Sequence, residues 1–206
     1  MNKKISILCV LLSLGACSSN KKLDYVVTDF SNNKKPVWIQ DLKKFEKKKE
    51  NNFSQFKYFK SESESINKRL CEKSAMANVD SSIAAEISSE IDDLYSGLTE
   101  VQLEETLLSD TKKEQMKTLI KNNLVGVEMS DAYWEKRAYS IQLGAEKDKV
   151  AYYCYQLARV KKDVHDKIIN EMINKTINGI KDNSTKQEVK DTVKENAEDA
   201  SINLDI

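Results

Sequence analysis

Residues 149–160 carry Val150, Ala151, Tyr152, Tyr153, Cys154, Tyr155, Leu157 and Val160, and no other stretch constrains the fold so tightly. Four aromatic and β-branched residues fall within six positions, a composition suited to a half-buried pleated surface. Side chains alternate across a strand, so Tyr152 faces one side of the sheet while Tyr153 and Tyr155 face the other. A partner strand is expected within residues 124–137, where Val125, Val127 and Met129 alternate ahead of Tyr133 and Trp134. Gly144 to Lys149 then supplies the turn of a hairpin. A third strand is expected over residues 54–61, because Phe53, Phe56, Tyr58 and Phe59 crowd one short stretch.

Helical spacing separates these strands. Ser63-Glu64-Ser65 reads as the opening of a long helix, followed by Ile66, Leu70, Met76, Ala77, Ile83, Ala84, Ile87, Ile91 and Leu94 at steps of about three and four. Ala75, Ala77, Ala84 and Ala85 are small enough to let a sheet approach, and Gly97 is a stop. Thr111 is placed to cap a second helix containing Met116, Leu119, Ile120 and Leu124. Residues 98–109 fit neither period. Asp163 precedes a C-terminal helix whose stripe is Val164, Ile168, Ile169, Met172, Ile173, Ile177 and Ile180. The order strand, long helix, short helix, hairpin, helix predicts an α+β fold, a small antiparallel sheet with helices on one face. One proline and five glycines argue against a turn-rich all-β domain.

The chain has 33 basic and 33 acidic residues, so its charge gives no reason to expect nucleic acid as a partner. The charge is uneven: residues 21–60 hold eleven lysines against five acids, and residues 181–206 hold four against seven. Residues 182–206 have few large apolar side chains and read as a charged, mobile or weakly helical tail. Signals for catalysis are sparse. The glycines never cluster into a phosphate loop. His165 is the single histidine and reads as an exposed or boundary helix residue. With Asp163, Asp166 and Glu171 it would make a poor metal set, since zinc sites take several His or Cys ligands. Glu90, Asp92 and Asp93, and likewise Glu104 and Glu105, read as solvated faces. No enzymatic activity and no cofactor is expected.

The first residues address the chain. Met1-Asn2-Lys3-Lys4 is basic, and the largely apolar run Ile5 to Leu14 is too short to cross a bilayer, which takes about 20 residues. Leu14-Gly15-Ala16-Cys17 ends that run. It resembles the lipobox of bacterial lipoproteins, with Gly15 where Ala or Ser is commoner. The resemblance implies cleavage between Ala16 and Cys17 and a diacylglyceryl group on the Cys17 sulfur. Ser18, where an Asp would resemble an inner-membrane retention signal, points to the outer membrane of a Gram-negative envelope. Residues 1–16 are then a signal, 17–50 a lipidated tether with an island at Pro36-Val37-Trp38-Ile39, 51–181 the domain and 182–206 the tail. Cys9 leaves with the signal, while Cys71 and Cys154 remain in a compartment that permits a disulfide. A helical wheel sets Cys71 opposite its helix's apolar stripe, which disfavours a bridge to Cys154 within one chain. Pairing between chains, and with it a homo-oligomer, stays open.

Pro36-Val37-Trp38, the alanine-containing helix, Asp131-Ala132-Tyr133-Trp134-Glu135-Lys136 and Ala151-Tyr152-Tyr153-Cys154-Tyr155-Gln156-Leu157-Ala158-Arg159-Val160 together resemble the LPP20 lipoprotein family over roughly residues 36–175. That family includes relatives of flagellar assembly proteins. The resemblance implies a long amphipathic helix packed on a small curved sheet. It also implies a non-enzymatic scaffold held to the membrane by its lipid and bound to an envelope or flagellar protein. The first strand departs from the family pattern, lacking glycine. Trp134, Tyr153 and Tyr155 are the candidate interaction surface, although alternation assigns part of this group to the core. A groove beside the sheet binding a small envelope glycan or lipid is the alternative, marked by an apolar pocket at Tyr153, Tyr155 or Trp134.

Overall fold

The computed structural model describes residues 23–32, 34–48, 55–99, 110–200, 202 and 204–205. Within them the protein is α+β, with four strands and seven helices. The strands are β1 (Tyr25–Phe30), β2 (Phe56–Ser65), β3 (Glu128–Tyr139) and β4 (Lys149–Lys161). They form one antiparallel sheet in the order β1-β3-β4-β2. The expected hairpin is β3 and β4, paired through Tyr133 with Tyr155 and Tyr139 with Lys149. Its turn contains Gly144 at φ 105, a left-handed conformation that glycine adopts without a Cβ clash. The aromatic run thus lies at the centre of the sheet, paired on both sides.

The helices are α1 (Val37–Gln40), α2 (Leu42–Lys48), α3 (Lys68–Ala77), α4 (Val79–Leu94), α5 (Asp110–Asn123), α6 (Lys162–Gly179) and α7 (Asn183–Asp199). The main core lies between the sheet and α4 to α7. There Phe59, Ala158 and Val160 meet Ile83, Ile87, Ile91, Ile120, Ile169, Ile173 and Val193. The opposite face of the sheet carries Tyr58, Tyr133, Tyr155 and Leu157, covered by Trp38 and Ile39 of α1. Helices therefore lie on both faces, not one. The Trp38 indole donates to Asp131 Oδ2 at 2.9 Å, fixing this cover to β3.

Three expectations are corrected. Residues within 17–50 are not simply a tether: β1 pairs with β3, and α1 and α2 pack on the sheet. Residues within 182–206 do not form a loose tail, because α7 buries Val189, Val193 and Ala197, spaced four apart on one face. Asp182 caps that helix, accepting from the Thr185 backbone N–H at 2.7 Å. Third, the long helix is two. β2 runs on to Ser65, and Asn67 rather than Ser63 starts α3 by accepting from Leu70 N–H at 3.1 Å.

α3 also faces the opposite way from its apolar stripe. Cys71 and Ala75 are buried against the sheet, whereas Ile66, Leu70 and Met76 are 86%, 57% and 54% exposed. Two bonds hold this orientation. Cys71 forms a disulfide with Cys154 of β4 across a Cα separation of 5.7 Å. The Ser61 hydroxyl donates to the Ala75 carbonyl at 2.7 Å. A helical wheel turns Cys71 away from the sheet only where the greasier face of the helix packs inward. Here the small face does, since a sulfur and a methyl group permit a closer approach than Leu and Met.

Candidate functional site

The second sheet face also carries a polar-aromatic cluster built by alternation on β3 and β4, starting from Tyr133 and Tyr155 beside α1. Tyr133, Glu135, Arg137 and Tyr139 share one side of β3, beside Tyr153 and Tyr155 of β4. The Arg137 guanidinium stacks 3.6 Å from the Tyr153 ring centre and 4.4 Å from that of Tyr25 on β1. It donates to Glu135, to which its Nε lies at 2.7 Å, and to the Tyr155 hydroxyl at 2.7 Å. Glu135 is only 2% exposed and also receives Lys35 Nζ at 3.2 Å on both oxygens. Burial pushes the Tyr155 phenol up to about 12, with Arg137 opposing. Tyr153 donates to Glu64, and burial followed by that bond raises its pKa as well. The cluster is a satisfied ion network that stiffens the sheet and keeps its phenols protonated.

A second cluster surrounds His165, which is buried at 2% exposure, not a boundary residue as expected. Its Nε2 lies 2.7 Å from Glu90 Oε2 and its Nδ1 2.9 Å from Asp166 Oδ1. Lys57 pairs with the other Glu90 oxygen at 2.9 Å. Glu90 thus belongs to a buried network instead of a solvated face, and Asp92 pairs with Lys113 at 2.7 Å. Burial lowers the His165 pKa, but the hydrogen bonds to Asp166 and Glu90 outweigh it and the net shift is upward. Burial likewise works against the Glu90 carboxylate, and His165 and Lys57 bring its pKa down overall. The neighbouring cavity of about 660 Å³ is lined by charges of both signs, including Lys43, Lys47, Glu46 and Asp93. Among the described residues no serine, threonine or cysteine lines it, and both imidazole nitrogens are engaged by carboxylates. Among the described residues, no three His, Cys, Asp or Glu side chains converge in a metal-binding arrangement.

The third feature is a groove of about 420 Å³ between α3 and β3. Met76 and Lys73 form one wall, Ala132 and Trp134 the other, with Cys154 and Gln156 at its base. Trp134 is half-buried, its ring 5.9 Å from that of Tyr152 and beneath Lys68 Nζ at 3.7 Å.

The expected surface of Trp134, Tyr153 and Tyr155 is therefore divided. Trp134 lies on the α3 side of the sheet, whereas the Tyr153 and Tyr155 rings lie on the opposite side with Arg137. Tyr155 is buried, and Tyr153 is half-buried in its hydrogen bonds. Ala16, Cys17, Glu104 and Glu105 lie outside the described residues. Glu135 and Arg137 were missed, although the alternation of Tyr, Glu, Arg and Tyr from residue 133 to 139 carries their signal. No family model, curated protein or solved structure matches the chain.

Proposed function

We propose that the chain is a lipid-anchored protein of the bacterial outer membrane whose domain is a non-enzymatic, protein-binding scaffold. The reading rests on α3: its apolar residues Leu70 and Met76, with Ile66 just ahead of it, are exposed, Met76 lining the Trp134 groove, while small residues and a disulfide hold the helix down. Exposed apolar side chains grouped around a groove are the usual mark of a protein contact. The disulfide agrees with an exported domain, because such bonds persist in oxidising compartments. The Leu14–Cys17 lipobox supplies the anchor. The resemblance to the LPP20 family supports an envelope or flagellar protein as the partner.

A second reading, a module for a small envelope glycan or lipid, draws support from the same groove, which Trp134 helps to line. One experiment separates them. Tagged wild-type chain is crosslinked in intact cells beside Cys17→Ser, Leu70→Glu and Met76→Glu variants. The scaffold reading expects defined envelope proteins recovered with the wild type and lost with the α3 variants. Wild type that fractionates with membrane but captures no protein favours the ligand module. Membrane association unchanged by Cys17→Ser removes the lipoprotein assignment.

A further inference from the structure

Exposed apolar side chains also gather at the opposite edge of the sheet. Of the eleven large hydrophobic residues exposed among the described residues, four lie on β1 or just before it, Leu23, Val26, Val27 and Phe30, while Ile141 follows its partner strand β3 and Val150 lies on β4, one strand further in. Among the described residues β1 is an edge strand, hydrogen-bonded only to β3 within the sheet. Val26, Ala138 and Val150 stand in one cross-strand row, since Ala138 pairs with both valines. Val27 follows Val26 and so points to the other face. The edge is therefore apolar on both sides, at the end where the chain enters the fold.

From these observations we infer that the β1 edge is the surface on which the anchored domain rests against the bilayer. The inference builds on the proposed lipidation of Cys17. Five residues lie between Cys17 and Leu23, and at about 3.5 Å per residue that stretch spans at most about 20 Å. A lipidated Cys17 thus keeps Leu23 within about 20 Å of its lipid, whatever path those residues take. β1 begins two residues later, so it is the described strand nearest the anchor along the chain.

Two observations favour a lipid surface over an added strand. The β1–β3 register is broken by a bulge between Val27 and Asp29, a device that twists an edge away from further pairing. Backbone polar groups are not tolerated in hydrocarbon, so contact is limited to side chains in the headgroup and upper acyl region. The charges nearby are mixed, with Asp24, Asp29 and Asp148 against Lys136, Arg137 and Lys149. Docking is therefore apolar in origin and insensitive to salt, unlike attraction to anionic lipid.

The test uses full-length chain purified from membranes and reconstituted in phosphatidylcholine vesicles. A thiol-reactive bimane is placed at Phe30→Cys or Val27→Cys, with Lys194→Cys as the control on exposed α7. The mass of the purified protein first reports whether Cys17 carries its acyl groups. Vesicles doped with a shallow nitroxide lipid should extinguish most of the emission at positions 27 and 30, at low and high salt alike, and spare position 194. An acylated chain equally bright at all three positions overturns the docking and leaves the anchor standing. Emission that varies with protein-to-lipid ratio and ignores the nitroxide overturns it in favour of pairing between copies. A chain without acyl mass overturns both.

Discussion

Reduction of the Cys71–Cys154 bridge, or its replacement in the double variant Cys71→Ala/Cys154→Ala, should cost most of a typical domain's stability. The bridge joins residues 83 apart, enclosing α4, α5 and β3. In the chain-entropy treatment a loop of that size restricts the unfolded state by about 4.5 kcal/mol at 25 °C. Domains are commonly stable by only about 5–15 kcal/mol. Both cysteines are buried, at 0% and 2% exposure, so the alanines add a small packing loss. Urea titration followed by circular dichroism gives the number directly. With a slope of about 2 kcal/mol per molar urea, the midpoint should fall by about 2 M in the variant, and equally in wild type under reductant. The wild type unfolded without reductant should show neither of these thiols free. A midpoint within about 0.3 M of wild type in both cases, with an unchanged slope, would falsify the claim that this bridge closes the loop. A fall in the variant but not under reductant would place the cost in packing alone.

The pH dependence of stability should bear the mark of the His165 network. The histidine pKa is raised above its ordinary 6.5, so its contribution is complete below that value and is lost as pH rises through the folded pKa. That of Glu90 is lowered below 4.5, so its contribution is present above that value and is lost as pH falls through the folded pKa. Together they favour the window from about pH 4.5 to 6.5. Glu86, raised by burial and then by Glu90, opposes this at higher pH. In urea midpoints measured from pH 4 to 8, His165→Gln should flatten the decline above that window; an unchanged profile refutes the assignment. Glu135→Ala leaves Arg137 without its carboxylate and should cost about 3 kcal/mol, whereas a loss below 1 kcal/mol would show that Lys35 and Arg137 escape to water. Val193→Asp places a charge in the core beneath α7 and should lower the thermal midpoint by about 10 °C or release α7 to proteolysis. A neutral result would mean that α7 does not pack on α4.

The central strands were legible because Val150 to Val160 and Tyr133 to Trp134 combine a period of two with aromatic composition, which few other structures accommodate. α6 was legible for the same reason at a period of 3.6, with seven apolar residues on one stripe. β1 was not, since Tyr25, Val26 and Val27 sit among lysines and asparagines, and the partner that makes them a strand lies over a hundred residues away. α7 was hidden by economy: two valines and an alanine suffice where a core already exists to receive them. α3 shows a different failure. Hydrophobicity predicts which face is greasier, but a covalent bond at Cys71 decided which face turned inward. His165 and Glu135 illustrate the limit of composition, because a buried charge is recognisable only once its counter-charges, contributed by distant elements, are in place.

The order of the strands has a consequence for assembly. β1 and β2, the first two strands along the chain, are the two edges of the sheet, and both centre strands come later. Neither early strand pairs with the other. During synthesis or translocation, N-terminal end first, nothing in the sheet can form until the chain has emerged past residue 128, and β2 waits for β4. The hairpin of β3 and β4 is then the natural nucleus, being the only consecutive strands that pair with each other among the described residues. Hydrogen-exchange pulse labelling during refolding should protect its amides before those of β1. Until that hairpin exists β1 and β2 have no strand to pair with, so the sheet is completed only after its last strand along the chain has been made.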